Sequence, residues 1–226
     1  MHVFHGSNVK VDKIDLSKSE FFKDFGRGFY VTNTREHAYL RAIDIARRHN
    51  LNKPIVTEYN YLETYPITIG MNVKKFENVS KDWVEFIMLN RNRNISHPAH
   101  TFDIVEGPIA NDKMVIQIRL YEHGKISMEN LIEKLTYSEP THQICFCTLA
   151  SLYALELVDD ADFRNEIDEK SGNILELMLE KMEMPEPAAI KLFYSSKLYE
   201  ELSNPDTQLW QKTWQELYEL LIKEVL

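Results

Sequence analysis

Hydrophobic positions recur in two different periods along this chain, and the change between them divides it. Through roughly the first 157 residues short apolar runs are bounded by turn residues. Val3 to His5 predicts a first short strand ended by Gly6-Ser7-Asn8. Phe29 to Thr32 follows Gly26 and Gly28 as a second strand, and Asn33-Thr34 then opens a helix continuing to about His49, with Arg41, Arg47 and Arg48 facing water. IVTEYNY (55–61) alternates as a strand, and further strands are expected at 67–69 and at Val73 to Phe76. Ser80-Lys81-Asp82 caps a helix with Trp83, Phe86, Ile87 and Leu89 on one side, and Trp83 and Phe86 are expected core anchors. Phe102 to Val105 predicts a strand, Gly107-Pro108 a turn, VIQIRLY (115–121) another strand, and Ser127 the cap of a helix to about Leu135. ICFCT (144–148) is a strand, and 149–157 closes this part as strand or helix.

Beyond Val158 the strand signals stop. Gly172 to Met182, Glu186 to Leu202 and Leu209 to Val225 predict three amphipathic helices, with a turn at 203–206. Trp210, Trp214, Leu217, Leu221 and Val225 recur at three and four, which is packing periodicity. The expected organisation is an α+β domain over 1–158 followed by a small helical accessory domain over 159–226.

Composition narrows the function. A net charge of −9 disfavours broad contact with phosphate backbones, while leaving room for a local basic pocket. No apolar run approaches about 18 residues and the first residues carry no basic leader, so a cytoplasmic protein without membrane contact is expected. Cys145 and Cys147 lie on one strand face, a poor geometry for a disulfide and too few ligands for a zinc site, so free thiols are expected. His97 and His100 have spacing open to a metal, but no third ligand is at hand and no metal is assigned. There is no G-x-S-x-G, H-E-x-x-H or Walker loop. A lone G-x-G at 26–28 satisfies turn geometry as readily as it admits a ligand. Asn111 and Asp112 read equally as an Asx turn or as a polar pocket wall. The residue types alone reach no further than a strand-rich module able to bring His5, Tyr30, Asn111, Asp112 and Gln143 together.

Four phrases in order, HGS (5–7), DFGRGFYVT (24–32), FDIVEGPIANDK (102–113) and THQICFCT (141–148), resemble an uncharacterised bacterial family. That family is similar in turn to ADP-ribosyltransferases of the diphtheria-toxin and poly(ADP-ribose) polymerase branch. The resemblance covers residues 3–157 and implies a split β-sheet core with flanking helices and NAD as the bound cofactor. By resemblance, His5 holds the nicotinamide-side ribose, and Gly6, with Ser7 beside it, meets the carboxamide. Tyr30, after Gly28, stacks on nicotinamide, and Tyr39 is near the place of a second stacking tyrosine. The third key position, usually glutamate, is Gln143, which positions a hydroxyl without carboxylate charge. Asp112 or Asp103 is the candidate for that charge, and Asn111 or Asp112 for orienting the acceptor or the ribose. The implied activity is mono-ADP-ribosyl transfer or NAD hydrolysis; the alternative is a degenerate nucleotide-binding or protein-interaction module. The acceptor is unknown, with protein slightly favoured over nucleic acid. The tail, with SGNILELMLEKM (171–182) and AIKLFYSSKLYEEL (189–202), resembles another small bacterial domain and offers a surface for a protein partner.

Overall fold

The computed structural model describes residues 1–48, 54–95, 97–110, 112–136, 141–158 and 161–225. Its described residues form an α+β fold with a seven-stranded mixed sheet. The strands are β1 (His2–Ser7), β2 (Phe29–Thr32), β3 (Ile55–Tyr61), β4 (Val73–Lys75), β5 (Ile104–Pro108), β6 (His142–Phe146) and β7 (Leu155–Leu157), in spatial order β4-β5-β6-β2-β1-β3-β7. β4 and β5 run parallel, while β5, β6, β2 and β1 are successively antiparallel. Alternation along β2 sends Phe29 and Val31 to one face, with Val3, Tyr59, Tyr61, Ile144 and Phe146. On the other face a second core gathers Phe25, Trp83, Ile87, Val105, Met114, Ile118, Leu131 and Cys145.

Caps fix the helices that close this second core. The Ser80 hydroxyl accepts from the Trp83 N–H to start α3 (Lys81–Arg91), and Ser127 accepts from the Asn130 N–H to start α5 (Met128–Leu135). Trp83 is fully buried and its indole N–H donates to the Pro108 carbonyl at 3.2 Å. Leu89, expected inward, is exposed, because the inward face of α3 is Trp83, Val84, Ile87 and Asn90.

Three expected elements take another form. The strand expected at 67–69 is instead the tail of a short helix, α2 (Thr64–Thr68), and the turn after it. Pro66 lacks the N–H a strand ladder needs but suits a first helical turn, and Gly70 at φ +69° stops the helix. Residues 115–121 lie in a helix, α4 (Asp112–Glu122), because Met114, Ile118 and Tyr121 hold a helical stripe that outweighs the local alternation; Ile116 is left exposed. Gly107 and Pro108 do not turn the chain. They end β5 opposite Gln143 and His142, where a proline costs a single ladder bond.

The described residues divide into two compact units. One contains residues 1–5, 11–34 and 58–157; the other contains residues 6–10, 35–57 and 158–226. The second is mostly helical: α1 (Arg35–Arg48), α6 (Ala161–Lys181), α7 (Glu186–Tyr194), α8 (Lys197–Leu202) and α9 (Trp214–Val225). The expected helix over 186–202 is two, because Ser196 caps a new start by accepting from the Tyr199 N–H. The acidic stretch after 160 belongs to α6, which begins earlier than Gly172. Leu217 and Leu221 are fully buried with Trp210, Trp214 and Val225 packed beside them, and Leu40 and Ile43 of α1 join the same core. Arg35 is buried beside Asp168 of α6. Burial, the largest single influence, would lower the guanidinium's pKa, but the Asp168 charge and hydrogen bond together with Tyr199 and Tyr194 outweigh it and leave the pKa raised.

Candidate functional site

β2 carries the residues around which a site can form, because the turn before it is locked from several sides. Tyr30 folds back so that its hydroxyl donates to the Gly26 carbonyl at 2.7 Å and accepts from the Phe25 N–H at 3.0 Å. Gly26 has φ +79°, a conformation that suits glycine, and Ser19 bonds both the N–H and the carbonyl of Gly28. A Cβ at Gly28 would lie 2.4 Å from the Cys145 sulfur and 2.6 Å from the Phe146 carbonyl oxygen. What approaches Gly28 closely is strand β6. Tyr30 sits opposite Cys145 in register, and burial raises the ionisation of both groups well above its ordinary range. The Cys145 and Cys147 thiols are free, with their sulfurs 3.5 Å apart.

His5 reaches β2 from the neighbouring strand. Its Nδ1 lies 2.7 Å from the Tyr30 carbonyl oxygen, and its ring stacks on Phe29 with centroids 4.3 Å apart. A carbonyl can only accept, so Nδ1 carries the proton. Because Phe29 and Tyr30 alternate, the imidazole and the Tyr30 ring flank β2 on opposite sides. His5 therefore meets the backbone of Tyr30 and not its ring.

Gln143 shares the Tyr30 side of the sheet, since it pairs with Thr32 and lies two residues before Cys145. Its amide Nε2 donates to Asp24 Oδ2 at 3.3 Å. The other oxygen, Asp24 Oδ1, accepts from Arg91 Nε at 2.8 Å and Nη2 at 2.5 Å, a two-point clasp. Sequence reading missed both Asp24 and Arg91. Asp24 stands at the head of the DFGRGFYVT phrase, which was the signal available for it, while Arg91 is the last residue of α3.

Gly6 belongs to the unit containing α1, where an added Cβ would lie 1.8 Å from the Ala38 carbonyl oxygen; its bare backbone is needed for packing. Ser7 makes only a long 3.4 Å bond to Asn8. Tyr39 packs in the helical core against Tyr194, and burial pushes its hydroxyl up to about 12. Asn111 lies outside the described residues, as does the Asp112 side chain, and the Asp112 backbone opens a helix. Asp103 is committed to structure: it accepts from the Asn72 N–H at 3.0 Å and the Thr148 hydroxyl at 2.8 Å. His100 has both nitrogens engaged, Nε2 on the Phe25 carbonyl and Nδ1 on the Phe102 N–H, so it is not placed as a metal ligand. Among the described residues no cluster of three His, Cys, Asp or Glu side chains could hold a metal, and no helix is long and apolar enough to cross a membrane.

The chain belongs to the DUF3990 family of proteins of unknown function, whose family model matches residues 1–157. No curated protein and no solved structure matches it.

Proposed function

We propose that this DUF3990-family protein binds NAD and cleaves the bond between nicotinamide and ribose, passing ADP-ribose to an acceptor or to water. The observation that carries the reading is topological. His5, Tyr30 and Gln143, far apart in sequence, fall on the three adjacent strands β1, β2 and β6. By resemblance these three residues take the ribose, nicotinamide and third positions of an ADP-ribosyltransferase-like core.

On this reading the Tyr30 ring gives a flat face for nicotinamide and Gln143 engages the ribose from the same side of the sheet, while His5, across β2, holds the Tyr30 carbonyl in place. NAD would supply both the leaving group and the transferred group. The chain's own part is to hold the ribose and leaving ring while positive charge develops at the anomeric carbon, so electrostatic organisation and orientation do the work. The acceptor is proposed to be a protein. The helical unit is a candidate surface for it, and a cytoplasmic setting fits an enzyme drawing on intracellular NAD.

One observation favours a non-enzymatic module instead. The Tyr30 hydroxyl is spent on the Phe25–Gly26 backbone and the Gln143 amide on Asp24. The deciding experiment measures nicotinamide release from NAD by the purified protein, alone and with cell lysate, beside Tyr30→Ala and Gln143→Ala. Release that both substitutions abolish supports the enzyme. Absence of release together with absence of NAD binding in calorimetry favours the interaction module.

A further inference from the structure

The third position of the site is a neutral amide whose orientation is not left to chance. A carboxylate offers acceptors alone, so the Gln143 atom 3.3 Å from Asp24 Oδ2 must be the NH₂ nitrogen. The carbonyl oxygen Oε1 is then the end that remains, and among the described residues it accepts no hydrogen bond. Asp24 is held in turn by both Arg91 nitrogens, and its side chain is 13% exposed against 29% for Arg91. Rotating the carboxylate would break a charge-assisted pair, and flipping the amide would set Oε1 against a carboxylate oxygen.

We propose that Asp24, clasped by Arg91, is a positioning residue that fixes Gln143 with its carbonyl oxygen presented to ligand hydroxyls. The third position thereby acts as an oriented acceptor, selecting ligands that donate an O–H, such as a ribose diol. Which ligand it meets rests on the NAD reading; the locked amide does not. Arg91 also offsets the Asp24 charge, so little net negative field reaches the ribose, and turnover by this site is slow compared with one built on a free carboxylate.

The test is a swap of hydrogen-bond polarity. Asp24→Asn lets the amide flip and lowers kcat/KM for nicotinamide release by roughly 10- to 100-fold, the range for a hydrogen bond to a charged group. Gln143→Glu sets two carboxylates together and is also impaired. In the double variant D24N/Q143E, the amide introduced at position 24 donates to the carboxylate introduced at position 143 while its oxygen still accepts from Arg91, and activity recovers to at least the parent level. A purely structural Asp24 would not be rescued by a change at position 143, and thermal melts of all four proteins separate folding from function. The second readout needs no ligand: with glutamine side chains ¹⁵N-labelled, the Gln143 amide resonances shift in Asp24→Asn. If NAD is neither bound nor cleaved while those resonances do shift, the NAD reading fails and the positioning stands. Resonances indifferent to Asp24, or, where the parent cleaves NAD, a double variant no better than either single one, overturn the positioning.

Discussion

Replacing Gly6 with alanine separates a packing glycine from a ligand-contacting one. The added Cβ would lie 1.8 Å from the Ala38 carbonyl oxygen, 2.8 Å from the Ala38 carbonyl carbon and 2.9 Å from the Ala42 N. All three are backbone atoms of α1, so no side chain can swing aside, and strand or helix must move by roughly 1 Å through a close-packed interior. Overpacking of this kind costs about 1–3 kcal/mol, and a backbone clash belongs at the upper end. For a chain of this length that is a fall in Tm of roughly 6–12 °C. The control is Gly172→Ala in α6 of the same unit, where the nearest atom is the Tyr39 hydroxyl oxygen at 4.0 Å. There a helix-interior alanine should stabilise by about 1 kcal/mol. Thermal and urea unfolding followed by circular dichroism measure both, with two probes to test whether the units melt together. If Gly6→Ala unfolds within about 0.5 kcal/mol of the parent, the close approach of Gly6 to α1 is wrong.

Arg35→Met removes one half of a largely buried pair and leaves Asp168 beside Tyr194 and Tyr199; urea titration should show a loss of about 3 kcal/mol, and a loss below about 1 kcal/mol would deny the pair that importance. Burial lowers the His100 pKa below its usual value despite the Phe25 contact. The unfolded chain then binds the extra proton first, so His100's contribution is intact above about 6.5 and is lost as pH falls through the lower folded value. Tm should drop between about pH 7.5 and about pH 5.5, His37 adding in the same sense, and His100→Asn should flatten that slope; an unchanged slope would remove His100 from the account. Leu221→Ala should cost about 2–5 kcal/mol, since the side chain is fully buried in the helical core, and the same unfolding assay reads it.

Where local chemistry and tertiary need agree, the fold can be read residue by residue. The corner from β2 into α1 follows from two glycines, an aromatic run and a polar stop, the strand at 55–61 from its alternation, and two helix starts from Ser80 and Ser127. Disagreement defeats the reading. At 115–121 the alternation is real, but the burial of Met114 and Ile118 four residues apart decides for helix. At 107–108 a glycine and a proline have strong turn preferences, yet pairing with β6 keeps them extended. The site shows the same limit. His5, Tyr30 and Gln143 can be named from phrases in the chain, whereas Asp24 and Arg91 acquire meaning only when a loop, a helix end and a strand 119 residues from Asp24 converge. Gly6 and Tyr39 are the reverse: residues that resemble ligand contacts and whose described neighbours are a helix backbone and a tyrosine.

The unit that pairs α1 with α6 through α9 sets a timetable for synthesis. Leu40 and Ile43 leave the ribosome with the first quarter of the chain, but the core they pack against is built from Phe163 onward. At about 5–20 residues per second, the more than 100 residues between α1 and α6 take roughly 6–25 seconds to appear. During that interval β1 and β2 are already made and β3 to β7 appear in turn, while an apolar helix face waits for partners that have not been made. The nascent chain is thus sticky for a defined period, and a holdase binding α1 would matter most before α6 emerges.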